Sequence, residues 1–194
     1  MVIRYLGLIA ALMVCAEAEP VVEFPGAVTE VVAPNTGLKL AFVDPGAAEQ
    51  GGHDYSLNLT YPDGRSEEVT VFTRSIEVGW SPSGQAFFLT NHIGTNTADC
   101  YVVTPAAGAA QKISLTDVIT QGKFPAPLWA LQHSSHGAVI CDGWLDADKI
   151  HFVLQGDGGD TPNGFHYAFI YDAARGTAKL DRPTAAAKKK KRAS

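Results

Sequence analysis

"EVGWSPSGQAFFLTNHIG", Glu77 to Gly94, decides how the rest of the chain is read. An apolar run ends in Trp80, a Ser-Pro-Ser-Gly turn comes next, and the chain leaves through Ala86, Phe87, Phe88 and Leu89. Pro and Gly flanked by aromatic and β-branched residues spell a tight corner between two strands. Two further stretches have the same shape: "VVAPNTGLKLAFVD" at Val31 to Asp44 and "DGWLDADKIHFVLQ" at Asp142 to Gln155. Each runs on to another strand, "YSLNLTYPDG", "CYVVTPAAG" or "FHYAFIYDAARG", which ends in a turn closed by Gly64, Gly108 or Gly176. A fourth short strand is then seen in "EEVTVF", "QKISL" and "TAKL". A repeat of this kind dictates architecture. The expected fold is all-β, antiparallel meanders in three blade-like repeats at about 28–73, 74–119 and 138–182, forming a partial propeller-like array or a β-sandwich.

The corner with its next strand, "WSPSGQAFFLTN … DCYVVTPAAG", resembles a blade of the Tol-type β-propellers, where a Trp-Ser-Pro-Asp-Gly corner precedes an apolar strand. The match is best at Trp80 to Gly84 and at Trp144 to Lys149, and the units together span about Val28 to Arg182. Ser83 replaces the usual Asp, and the first unit has Ala33 at the place of the Trp. Three units are fewer than the four to eight blades of propellers. The resemblance therefore implies blade-like units, with Trp80 and Trp144 as structural residues, and leaves open whether the units close alone, bend into a sheet or sandwich, or complete themselves by oligomerising.

The repeat is interrupted. Residues 120–137, the greater part of "TQGKFPAPLWALQHSSHGA", stand before the third unit, and a long insertion between repeats is commonly a functional loop. Helical signals are sparse, but Ser114 with Asp117 three residues on reads as a helix cap opening a turn to Gln121.

The ends of the chain differ from its body. Met1 to Arg4 is a short basic start, Tyr5 to Ala16 an apolar run of 12 residues, and Ala16-Glu17-Ala18 supplies small residues at the positions a signal peptidase requires. Residues 1–18 are expected to be a signal peptide cleaved after Ala18, since such a run is too short to span ~30 Å of hydrocarbon. A lipoprotein anchored through Cys15 is disfavoured by Val14, where a small residue is wanted. A single β domain is expected over 19–183, and a disordered basic tail over 184–194. Export places the protein in a periplasmic or extracellular compartment. There Cys100 and Cys141 read as one disulfide, the alternative being two buried thiols.

With 46% hydrophobic and 18% charged residues the composition is that of a globular protein and excludes a disordered one. Five of the 15 Lys and Arg lie at Lys188 to Arg192, leaving ten against 20 Asp and Glu, so the body carries a net −10. An acidic body argues against nucleic acid as a partner, while the tail suits an anionic surface such as lipid or cell-wall polymer, or simply solvent. Neither a GxGxxG nor a Walker pattern is present. Asn58-Leu59-Thr60 is a glycosylation sequon of consequence only in a eukaryotic host.

Several residues are candidates for binding. Phe124 and Trp129, between prolines, offer a rigid aromatic surface on the insertion, or else cover a sheet edge. His133 and His136 form a His-x-x-His in "LQHSSHG", a spacing open to a metal pair or to surface histidines. His151 and His166 lie on consecutive strands and are expected to approach each other across the hairpin, with His151 pointing away from the core. Asp157 and Asp160 in "QGDGGDTPNG" offer carboxylates for Ca²⁺ on a flexible loop, to which Asp146 and Asp148 would add ligands if the corner folds toward it. No other cofactor is expected. The residues support a binding module for a protein or cell-envelope component; the alternative is a secreted hydrolase or metal-dependent enzyme using the same histidines.

Overall fold

The computed structural model describes residues 20–46, 54–158 and 164–181, with the Ser135 side chain left out. The segment expected to be a signal peptide, the expected disordered basic tail and Asp160 thus lie outside the described residues. The fold is all-β with two short helices. A first strand, β1 (Val22–Phe24), precedes three four-stranded antiparallel meanders. Unit 1 contains β2 (Glu30–Val32), β3 (Lys39–Val43), β4 (Tyr55–Thr60) and β5 (Ser66–Phe72). Unit 2 contains β6 (Ser75–Trp80), β7 (Phe87–Gly94), β8 (Thr97–Thr104) and β9 (Gln111–Ser114), with β1 paired to the outer edge of β6. Two helices, α1 (Leu115–Gln121) and α2 (Pro125–His133), lead to unit 3, made of β10 (Ser134–Trp144), β11 (Lys149–Gly158), β12 (Phe165–Asp172) and β13 (Thr177–Leu180). Unit 1 is a sheet of its own; units 2 and 3 join into one sheet through a parallel contact of β8 with β10 at Ala98 and Ala138.

Alternation along each strand gives every unit two faces, and the units stack through them. The back of unit 1, with Ala33, Leu38, Leu40, Leu57 and Leu59, packs on the Trp-bearing face of unit 2, with Ile76, Val78, Trp80, Phe87 and Leu89. The back of unit 2, with Ala86, Phe88, Cys100 and Val102, packs in turn on the Trp-bearing face of unit 3, with Val139, Cys141, Trp144, Ile150 and Phe152. Unit 2 is therefore the central layer, and two hydrophobic cores lie on either side of it.

The hydrogen bonds of the corners correct the alignment of the first unit. Ala33 N–H donates to the Leu38 carbonyl as Ser81 N–H does to Ala86, each at 2.8 Å, so Ala33 corresponds to Ser81. Val32, not Ala33, stands at the Trp position. Lys39 and Ala41 then hold the places of Phe87 and Leu89, and His151, opposite Gly143 as Phe88 is opposite Gly79, holds that of Phe88. Val32 is 54% exposed, and Lys39 pairs with Glu30 at 3.0 Å on the same outer face. The two end faces thus carry Lys39, Glu30 and His151 where the inner faces carry Phe87, Val78 and Phe88, as a repeat array needs at its termini.

Each corner is closed by a side-chain oxygen. Ser83 Oγ accepts from the Gln85 N–H at 3.3 Å, which is the task an Asp would perform there. In unit 3, Asp146 Oδ1 accepts from Asp148 and Lys149 N–H at 3.0 and 2.7 Å. Gly84 sits at φ +69, and a Cβ on it would stand 1.9 Å from the Pro34 carbonyl oxygen of unit 1, so only glycine lets these two corners meet.

Cys100 and Cys141 form a disulfide between β8 and β10, with Cα atoms 5.9 Å apart. The insertion is not a loop. Ser114 caps α1 as its spacing predicts, accepting from the Asp117 N–H at 3.2 Å, and the helix buries Leu115 and Ile119 in the core between units 2 and 3. The Pro-rich stretch forms α2, because Pro125 and Pro127 both fall in its first turn, where a missing N–H costs nothing. Leu-Trp-Ala-Leu-Gln then supplies residues that continue a helix readily.

Candidate functional site

The expected site residues do not gather on the insertion. Phe124 is partly buried and packs edge-on against Phe169, ring centroids 5.2 Å apart, beside the core between units 2 and 3. Trp129 remains 43% exposed, but its ring is stacked on His133 at 4.5 Å. The His133 Nδ1–H turns back to the Trp129 carbonyl at 2.8 Å. His136 lies on β10, opposite Asp157 of β11, so the His-x-x-His spacing is divided between a helix end and a strand.

On the outer face of unit 3, His151 pairs with Ile170 and His166 with Gln155. The two histidines are four residues apart along the ladder, about 13 Å at strand rise, and do not meet as expected. His151 is held elsewhere: Nδ1 lies 2.8 Å from Asp142 Oδ2, and Nε2 3.6 Å from Asp181 Oδ2. An Asp–His pair of this kind orients an imidazole, but the far nitrogen faces a second carboxylate rather than a hydroxyl. Asp146 and Asp148 sit at the corner that begins β11, and Asp157 near its end, so a ten-residue strand of ~30 Å separates them. They cannot join one cation site. Lys149 lies 2.7 Å from Asp146 and holds its carboxyl below the ordinary value, first through that hydrogen bond. Among the described residues no three His, Cys, Asp or Glu side chains are grouped to hold a metal ion.

What the fold does bring together is a line of residues across five strands. His92 of β7 stands opposite Ala98 of β8, Ala98 opposite Ala138 of β10, Ala138 opposite Gln155 of β11, and Gln155 opposite His166 of β12. All five line one groove of ≈ 440 Å³ at the seam between units 2 and 3. Two alanines give it a shallow floor, and the two histidines stand at its ends. The β7–β8 tip adds Thr95, Asn96 and Thr97, and the end of unit 3 adds Asp157 and Phe165. Gly156 is required there: a Cβ would come within 2.2 Å of the His136 carbonyl oxygen and 2.8 Å of the Phe165 ring. His92 Nε2 is 3.4 Å from Glu77. The side chains of Asn96, Gln155, Asp157 and His166 make no hydrogen bond among the described residues.

A second cavity, ≈ 470 Å³, opens between units 1 and 2, but its Thr36, Tyr61, Asp63 and Arg65 side chains are already engaged. Arg65 lies over the Tyr61 ring at 3.5 Å and donates to the Ala106 and Gly108 carbonyls at 3.3 and 3.4 Å. Tyr61 OH donates to Glu67, which accepts from the Ala110 N–H at 3.2 Å. Burial, then the Glu67 carboxylate, raises the Tyr61 pKa. These contacts clasp the units and leave the seam groove as the better candidate, despite its slightly smaller volume.

Asp157 and His166 were legible as candidates, whereas His92, Asn96 and Gln155 were not, because their neighbourhood depends on the β8–β10 pairing. No family model matches this chain, and no curated protein matches it.

Proposed function

We propose that the protein is an exported binding module of blade-like repeats that takes a protein or cell-envelope component in the groove at the β8–β10 seam. The observation that carries this reading is the register line from His92 to His166, which sets Gln155 and His166, without hydrogen bonds among the described residues, over a floor of two alanines. Its volume falls in the range of ligand sites, ~300–1,000 Å³. Units 1 and 2 each present their back to the Trp-bearing face of the next, which supports kinship with Tol-type blades. The Cys100–Cys141 bridge is compatible with an oxidising compartment and so with cleavage after Ala18. The basic tail then adds an electrostatic tether to an anionic surface.

Retention of envelope material by the immobilised full-length mature protein tests this. Ala138→Trp, which fills the groove floor, is expected to abolish retention, whereas shortening residues 123–133 lowers it only as far as it lowers stability. Equal retention by wild type and Ala138→Trp refutes the assignment of the groove.

A further inference from the structure

We infer that the groove at the β8–β10 seam takes an uncharged, polyhydroxylated chain, an oligosaccharide; this rests on the proposed binding reading and specifies its ligand. The lining offers groups that both donate and accept. Asn96 and Gln155 present planar amides, Thr95 and Thr97 hydroxyls, and His92 and His166 imidazoles at the two ends. A sugar hydroxyl also donates and accepts, so each such group can be met in both directions. Among the described residues no Lys or Arg lines the groove and Asp157 is the one carboxylate there, so an anionic chain would find repulsion without a countercharge. An apolar ligand would strip water from Asn96, Gln155 and His166 and leave them unpaired. A peptide adding as a strand needs a free ladder, yet β11 is paired on both edges beneath the groove. Phe165 and Ile140 supply apolar surface for the C–H face of a pyranose ring.

The length of the site selects a chain over a single ring. His92 and His166 are separated by four strand intervals, about 19 Å along the sheet. A monosaccharide cannot reach both ends, whereas an oligomer lying across the strands can.

The test is a glycan array carrying neutral, acidic and amino sugars, probed with the disulfide-bonded mature protein, and then calorimetric titration of the best binder. A neutral oligosaccharide is expected to bind with an affinity unchanged by added salt. Its monosaccharide should bind at least tenfold more weakly. Gln155→Ala should weaken the oligomer by about tenfold, equivalent to ~1.4 kcal/mol, with an unchanged melting curve. Ala138→Trp should remove binding altogether. Binding confined to sulfated or carboxylated glycans, salt-sensitive binding, or no glycan binding overturns the sugar assignment. If envelope material is still lost with Ala138→Trp in that case, the groove remains a binding site for another ligand. If that variant also retains material, both readings fall.

Discussion

The two cores on either side of unit 2 obey one packing rule and are fastened by different means. Between units 1 and 2 the fastening is polar and lies at the rim: Arg65 on Tyr61, Tyr61 on Glu67, and Glu67 on the Ala110 N–H. Trp80 fills the centre with its Nε1–H unpartnered among the described residues. Between units 2 and 3 the fastening is internal. Cys100 is bonded to Cys141, Thr90 Oγ1 accepts from the Cys141 N–H at 3.2 Å, and Trp144 Nε1–H reaches the Gly79 carbonyl at 2.9 Å. Gly79 also makes room for the Phe88 ring, which a Cβ there would meet at 2.5 Å. Local opening should therefore begin at unit 1, where the ties are few and solvated, and the joined sheet of units 2 and 3 should exchange its amides last.

Removing the bridge is the strongest way to break that order. Cys100→Ala with Cys141→Ala, 41 residues apart, is expected to cost about 4 kcal/mol in the chain-entropy account. Amide exchange should then speed up most in β10 to β12. A shift confined to unit 1 would contradict the contrast. Gly84→Ala attacks the other core, forcing a side chain into the left-handed region and against Pro34. A loss of about 2–4 kcal/mol in urea unfolding is expected, with β2 to β5 exchanging faster. The paired tryptophans sharpen the contrast further. Trp80→Phe and Trp144→Phe remove similar volume, but only the second gives up a buried hydrogen bond. It should be the costlier by about 1–2 kcal/mol, and equal costs would show that the bond contributes nothing net.

The smallest effect is alkaline. Burial, then the Asp99 carboxylate, pushes Tyr101 up to about 12, and Tyr61 and Tyr171 are raised as well, chiefly by burial. A phenol whose folded pKa exceeds its unfolded value keeps its full contribution below about pH 10 and loses it as pH rises toward 12. Tyr61 and Tyr101 pack with the core of units 1 and 2, so unit 1 should loosen first between those values. Tyrosinate absorbance rising well below pH 10 would refute this.

How much of this the residues announce depends on how local the information is. The corners, the strand order within each unit, the Ser114 cap and the cysteine pair can be read from neighbours in sequence, and all are present. The alignment of unit 1 is misread by one residue because Val32 and Ala33 are both small apolar residues just ahead of the turn at Pro34, and only the Ala33–Leu38 hydrogen bond decides which is turned inward. Helix α2 is missed because its prolines look like breakers until their place in the first turn is known. The groove is least legible. Its floor joins Ala98 to Ala138 across forty residues by a single parallel contact, and two alanines carry no mark of function. Asp157 and His166 stand out only through their residue types.

The pairing of β1 with β6 has a consequence for how the chain is put together as modules. Phe24 stands opposite Ile76, so the backbone leaves the central sheet, builds the whole of unit 1, and returns to the adjacent strand. In topological terms unit 1 is an insert whose two attachment points are neighbours, while β1 already belongs to the sheet of unit 2. A short linker from Phe24 to Ser75 would span the gap and leave the larger sheet continuous. Its cost would be the uncovered face of Trp80, Phe87 and Leu89, three large residues that only the guest unit conceals.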